Sequence, residues 1–310
     1  MARLNRSSLH STGYLYFETV ARLGSIRKAA AELFVVPSAV SHQIAKLEEE
    51  LRVPLFKRLP RGVTLTSAGE MLLYHVRRSA SELERGRNFI RNLSDLRGGS
   101  TTLVTVEGAA IDPASDALAT FWRRWPNVQV GISVGSNAAA FDAVDRGEAE
   151  LGLAYATADS PRVKILASAK LKLGAIFRSD HPLAQRPLLT VRELIDAGLP
   201  LLLADRSIAV RAMLEHALGK DAMRLLPRVE TNSPLMMCRL ASIGAGVAVK
   251  TRAGIEAELK SGALVFVPLR DLHSQTQRLA LFCRDDSPLP PAGAALAEEL
   301  AKALTDMSVH

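Results

Sequence analysis

The sequence predicts an α/β protein in two parts: a small helical module with a β-hairpin and one long helix, then a larger region where strands and helices alternate. Three observations predict it. Residues 14–66 read as three short helices and a hairpin, and an unbroken helical pattern follows to about residue 96. From Thr101 onward strand-like and helix-like segments take turns, the pattern that builds parallel sheets covered by helices. With 310 residues, 48% of them hydrophobic, the chain is long enough for two or three domains, each with a core of its own.

In the first helix Leu15, Thr19, Val20 and Leu23 form one stripe that ends at Gly24, a residue suited to a left-handed helix end. Ser25 is a natural N-cap for the second, which runs through Ala29, Ala30 and Leu33. Pro37 suits a first helical position, and the third helix places Val40, Ile44, Leu47 and Leu51 on one face. Its other face is small and polar: Ser38, Ser41, His42 and Ala45, with Gln43 and Lys46 alongside. Such side chains let a helix sink into a major groove about 12 Å wide. The alternative is a three-helix domain with a plain solvated face. Two short β segments then flank Pro60, Arg61 and Gly62, so that Lys57, Arg58 and Arg61 sit around the tip of a hairpin that can grip phosphate.

Thr66 or Ser67 caps the long helix, Ser67 with Glu70 matching a capping box. Val76, Leu83 and Ile90 recur every seven residues and Leu72 and Leu93 fall in the companion register, the seam of a two-chain coiled coil that Ser79 and Gly86 weaken. The same residues also suit a helix packed on its own domain. The stretch from Arg97 to Ser100 breaks the pattern as a hinge. Beyond it, strands are expected at 102–106, 128–134, 151–155, 171–177, 199–203, 246–249, 264–267 and 278–283, and helices at 114–125, 138–146, 208–218, 234–243, 253–260 and 292–304.

Charge is divided unevenly. The net charge is +7, and residues 1–97 hold 16 Lys and Arg against 9 Asp and Glu, an excess of seven, while residues 98–310 hold 23 of each. A basic segment joined to a neutral remainder points to a polyanion-binding module. The opening residues have no leader-like apolar stretch, and the longest apolar runs, such as residues 199–204, are too short to span a bilayer, so the expected compartment is the cytoplasm, with no membrane partner. Cys238 and Cys283 form neither a disulfide framework nor a zinc site, the histidines lack metal-clamp spacing, and neither a nucleophile elbow nor a phosphate loop occurs. No cofactor, metal or catalytic residue is expected.

The stretch from Phe17 to Leu33 with Gly24, Ser25, Ala29 and Ala30, then Pro37, Ser38, Ser41, Gln43 and Ile44, Leu47 and Glu48, Pro54, Phe56, Arg58, and Leu65, Thr66, Ala68 and Gly69 closely resembles the winged helix-turn-helix of LysR-type transcriptional regulators. Phe121, Trp125 and Pro126, the run from Gly147 to Leu153, the run from His181 to Ala184, and Gly244 with Gly246 are similar to that family's effector region. The resemblance implies a winged helix-turn-helix over 1–68 and a linker helix over 69–97 that pairs subunits. It also implies a periplasmic-binding-protein-like effector region over 98–310. In that region subdomain one is expected at 101–163 and 268–310 and subdomain two at 164–267, joined by crossovers near 161–168 and 264–270. It further implies promoter DNA as partner, a homodimer or a tetramer built as a dimer of dimers, a small-molecule effector in the cleft, and contacts to RNA polymerase.

By position, Ser38, Ser41, His42 and Gln43 would enter the major groove, Gln43 offering its amide to adenine, Pro37 belongs to the same DNA-binding set, and Ser25, Lys28, Lys46, Arg58 and Arg61 would hold phosphate. His42 stands where the family often has arginine, and a neutral imidazole lacks the guanidinium fork that grips guanine. Leu72, Val76, Leu83, Ile90 and Leu93 would pair subunits. For the effector the candidates are Ser136 and Asn137, Ser207, and Thr231, Asn232 and Ser233, all at strand-to-helix junctions, where each also suits a plain N-cap. Asp112 is expected to cap its own helix and to repel a carboxylate there, and Lys250, where the family often has proline, either to supply a compensating charge or simply to be exposed. On the residues alone two other readings stay open: a solute-binding or enzymatic α/β protein whose basic helices serve only for assembly, and a regulator that has lost its effector.

Overall fold

The computed structural model describes residues 12–60, 62–94, 99–156, 163–272 and 276–308. Of the expected hinge at 97–100, residues 97 and 98 lie outside the described residues, as does Arg61 at the hairpin tip, whereas Gly99 and Ser100 already belong to a strand. Contacts divide the chain into two units.

The first unit contains α1 (Thr12–Leu23), α2 (Ile26–Leu33), α3 (Pro37–Leu51), β1 (Phe56–Leu59), β2 (Gly62–Leu65) and α4 (Ser67–Ser94). Phe17, Val20, Ala29, Ala30, Val40, Ile44, Leu47 and Leu55 make its core, and the Phe17 and Phe56 rings lie 5.3 Å apart. The apolar stripe of α3 faces inward, which leaves its small polar face outward. Glu48 of α3 fixes the start of the hairpin: its Oε1 accepts the N–H groups of Leu55 at 2.7 Å and Phe56 at 3.1 Å. The hairpin is held from the other side at Gly24, whose carbonyl accepts the Val63 N–H at 3.0 Å. The cap of α4 is Thr66, whose hydroxyl accepts the Gly69 N–H at 3.0 Å, so the box expected from Ser67 and Glu70 is not the capping device.

The second unit begins with β3 (Gly99–Thr105), the short α5 (Glu107–Ala109), a π-helical turn (Ala110–Ala114), α6 (Ser115–Arg124), β4 (Val128–Val134), α7 (Asn137–Asp145), β5 (Leu151–Ala156) and β6 (Val163–Leu171). Then come β7 (Leu173–Arg178), α8 (Val191–Asp196), β8 (Leu201–Ala204), α9 (Ala209–Leu218), β9 (Pro227–Thr231), α10 (Pro234–Ser242), β10 (Val247–Thr251), α11 (Glu256–Lys260), β11 (Leu264–Pro268), β12 (Gln277–Arg284) and α12 (Pro291–Ser308). All the expected strands and helices are present; β6, β9, α8, the short α5 and the π-helical turn are additional.

Two five-stranded sheets result, ordered β4-β3-β5-β12-β6 and β11-β7-β10-β8-β9. Each is mixed rather than parallel. In the first, β3 runs parallel to β4 and β5, whereas β12 is antiparallel to both β5 and β6. In the second, β10, β8 and β9 are parallel, and β7 is antiparallel to β10 and β11. The antiparallel strands are those next to the crossovers, where the chain leaves one sheet and later returns to it from the opposite end. The first crossover lies at Lys172, between β6 and β7, and not at 161–168, because residues 163–171 are hydrogen-bonded to β12 in the first sheet. The return follows Pro268, the last residue of β11, and ends at Gln277. Subdomain one therefore extends through Leu171. Its core includes Leu103, Phe121, Phe141, Leu153, Phe282 and Leu300; that of subdomain two includes Phe177, Leu194, Leu203, Leu214 and Val249.

Among the described residues no helix is long and apolar enough to cross a membrane, and no group of three or more His, Cys, Asp or Glu side chains is placed to hold a metal ion.

Candidate nucleic-acid interface and effector pocket

On α3 the residues Ser38, Ser41, His42, Ala45 and Lys46 are exposed and Gln43 is half-buried. Ser41, His42, Ala45 and Lys46 follow Ser38 by three, four, seven and eight residues and make one continuous stripe of the helix, with Gln43 beside it. It lies opposite Val40, Ile44 and Leu47, so the core that seats the helix also aims the stripe at solvent. The helix starts with exposed Pro37, and its N-cap, Val36, supplies no side-chain hydrogen bond. Lys46 lies 4.0 Å from Glu50 one turn on, an exposed pairing that costs little to break. Lys28 on α2 and Lys57 and Arg58 on β1 are exposed as well. The Ser25 hydroxyl caps α2 by accepting the Lys28 N–H at 3.4 Å, a local task beside any phosphate contact.

On α4 the expected seam divides. Val76 is 8% exposed and packs with Leu72 in the first unit's own core, against Phe17 and its neighbours. These two residues serve the domain itself. Leu83, two turns on, is half-buried. The side chains of Ile90 and Leu93 lie outside the described residues.

In the second unit a cavity of about 390 Å³ opens between the two sheets. Its walls come from both subdomains, at the carboxyl ends of β3, β4, β5, β8, β9 and β10, where α/β folds receive ligands. Of the expected effector residues, Ser136, Asn137, Ser207, Asn232 and Ser233 line it; Thr231 does not, and its hydroxyl accepts the Ser233 N–H at 3.1 Å. Most of these groups have local tasks too. The Ser136 hydroxyl accepts the Ala139 N–H at 3.2 Å, Asn137 Oδ1 accepts the Tyr155 N–H at 3.0 Å, and Ser207 Oγ donates to Asp205 at 2.5 Å.

Sequence reasoning missed Glu107, Tyr155, Thr251 and Gln277, all lining the cavity. Their common signal was position at or beside a strand end. Tyr155 of β5 and Thr251 of β10 join hydroxyls at 2.9 Å across the cleft, and burial pushes the Tyr155 phenol up to about 12. Glu107 reaches from subdomain one to the start of α10, where Oε1 accepts the Ser233 hydroxyl at 2.9 Å and Oε2 the Leu235 N–H at 3.1 Å. Asp112 does not cap its own helix. It lies in the π-helical turn and accepts the N–H groups of Gly254 and, at 3.2 Å, Glu256, at the start of α11 in subdomain two. Burial raises the Asp112 carboxyl above the usual carboxylate range, against the lowering effect of those two N–H groups.

Lys250 lines the cavity, is only 6% exposed and donates from Nζ to the Ala253 carbonyl at 2.5 Å. Burial lowers its pKa, and Cys238, Asp112 and Glu107 oppose that shift. The backbones meet closely here as well: a Cβ on Gly108 would stand 2.9 Å from the Ala253 carbonyl oxygen.

The comparisons with known proteins agree with this arrangement. A bacterial regulatory helix-turn-helix of the lysR family matches residues 13–70, and a LysR substrate binding domain matches residues 94–305. The HTH-type transcriptional regulator BbuR of Bordetella bronchiseptica is 29% identical over 254 residues, 81% of this chain and 77% of the relative. Two solved structures share the fold. Full-length CbnR complexed with its target DNA has a TM-score of 0.64 at 17% identity, covering 94% of this chain and 98% of that one. Full-length OxyR from Pseudomonas aeruginosa has a TM-score of 0.63 at 20% identity, covering 94% and 95%. Matched over both parts by these two descriptions, the chain belongs to the LysR family and is a DNA-binding transcriptional regulator with an effector-binding domain, not an enzyme.

Proposed function

We propose that α3 reads promoter bases through Ser38, Ser41, His42 and Gln43, while Lys28, Lys46, Arg58 and Arg61 hold phosphates on either side, with Ser25 and Pro37 setting the approach of the helix. The observation that carries this reading is the exposed hydroxyl-bearing stripe, flanked by the half-buried Gln43 amide, on a helix whose opposite face is core, beside a hairpin bearing exposed Lys57 and Arg58. Subunits pair through α4 around Leu83, Ile90 and Leu93 into a dimer or a dimer of dimers. A small molecule in the 390 Å³ cavity shifts the population between DNA-bound arrangements by its differential affinity for them, and the change reaches RNA polymerase in the cytoplasm.

Gel-shift titration of the full chain on its own promoter region tests the DNA reading. Gln43→Ala should lose about tenfold or more on the specific site and little on random DNA, because one bidentate base contact is worth about 1–3 kcal/mol. Arg58→Ala should weaken both alike and make binding less salt-dependent. Equal losses on all sequences for Gln43→Ala would remove it as a base reader. No affinity of the wild type for any DNA at low salt would remove the proposal.

A further inference from the structure

The start of α10 is, with that of α7, a place in the cleft where a ligand's negative charge would be expected to rest, because the N–H groups and dipole of a helix start favour anions. In this chain each of its donors is already committed. The Ser233 N–H goes to Thr231 Oγ1, Pro234 has none to give, the Leu235 N–H goes to Glu107 Oε2, and the Met236 N–H goes to Ser233 Oγ at 3.2 Å. The Ser233 hydroxyl proton goes to Glu107 Oε1. A carboxylate from subdomain one thus occupies the seat in subdomain two that a ligand carboxylate would take.

The positive charge nearby is committed as well. Lys250 is the one cation among the lining residues; it is buried, bonded to the Ala253 carbonyl and shared between Glu107 and Asp112. A round space of 390 Å³ is about 9 Å across, comparable with the Debye length of about 8 Å. An anion anywhere in it therefore feels Glu107. What remains on offer is apolar wall, such as Val134, Ile208 and Met237, the uncharged polar groups of Asn137, Asn232 and Gln277, and the start of α7, where Ser136 Oγ takes the Ala139 N–H.

From this geometry we infer that the cleft takes an uncharged small molecule with an apolar body and hydrogen-bonding groups. Glu107 is the residue that sets this preference, acting as a tethered anion that keeps carboxylates out. The inference rests on the reading of this cavity as the effector site.

The test is calorimetric titration of the full-length protein with benzamide and benzoate, which match in shape and differ in charge, on wild type, Glu107→Gln and Glu107→Ala. Wild type should bind benzamide at least about tenfold more tightly than benzoate, and both variants should raise benzoate affinity by about tenfold or more. Glu107→Gln keeps the size and a hydrogen-bonding acceptor, so it serves where Glu107→Ala does not fold. Equal affinity of wild type for the two probes, or no gain for benzoate in either variant, overturns the inference. Failure to bind either probe in all three proteins also overturns it, since vacating a helix start beside a buried lysine must create an anion site. Ser207→Trp, at the exposed rim, separates the two layers of the claim: if benzamide binding survives it unchanged, the cavity is not the site and the effector reading itself fails.

Discussion

At Phe34 the backbone adopts φ +56°, the left-handed end of α2, and its N–H reaches back to the carbonyls of Ala30 and Ala31. The ring is 87% exposed, so no burial offsets the steric cost of that conformation for a residue with a large Cβ substituent. Phe34→Asn should therefore stabilise the protein by about 1 kcal/mol, read as a higher midpoint in urea unfolding. An unchanged or lower midpoint would mean that the ring has a partner in the assembled protein. Gly62 is the opposite case. With φ +122° and a notional Cβ 2.4 Å from the Gly24 carbonyl oxygen, the hairpin closes on the helix-turn-helix only because no side chain is there. Gly62→Ala should cost roughly 2 kcal/mol or more and weaken DNA binding on every sequence, because it displaces the hairpin and not a base contact. Gly24 was legible from sequence as a helix end, since glycine there follows an apolar stripe. Phe34 was not, because its conformation is imposed by the tight turn into α3 and leaves no compositional mark.

The elements were legible where one face of a segment is buried and the other is not. The stripes of α1 and α3 stand in the sequence because three helices share one small core, and the third stripe gave the reading face by subtraction. β6 was missed because its run of Lys, Ala and Ser resembles a connection; it is a strand because β12 pairs with it along its length. β9 was missed for its brevity, with only five residues at the edge of its sheet. For α4 the heptad pattern was visible, yet spacing alone does not say which partner fills the seam. Val76 and Leu72 turn to the domain's own core, and Leu83 lies beyond that core. Two substitutions of the same kind should then part company. Leu83→Lys should leave the fold intact and dissociate subunits, seen as a lower mass by light scattering. Val76→Lys should cost several kcal/mol of stability, because it buries an unpaired ammonium. If Leu83→Lys leaves the oligomer mass unchanged, α4 does not pair chains at that position.

Across the second unit, the contacts that define the cleft join residues far apart in sequence: Glu107 with Ser233 and Leu235, Asp112 with Gly254 and Glu256, and Tyr155 with Thr251. No local pattern announces such pairs, so the sequence showed the serines and asparagines at helix starts but not the two carboxylates that come to those starts from the other subdomain. The cleft is thus bridged by groups that an effector must work around, and one of them gives the stability of the fold a pH signature. The Asp112 carboxyl is raised mainly by burial, so the folded protein binds a proton at this site more tightly than the unfolded chain, whose value is near 3.8. The folded state then takes up the proton first as pH falls, and the contribution of this group to stability grows from neutral pH downward until both states are protonated below 3.8. Asp112→Asn keeps an acceptor oxygen for the Gly254 and Glu256 N–H groups and removes the titration. Urea unfolding between pH 4 and 7 should show wild type gaining on Asp112→Asn as the solution is acidified. A constant difference, or one that moves the other way, would show that the carboxyl is not held in this buried position across the cleft.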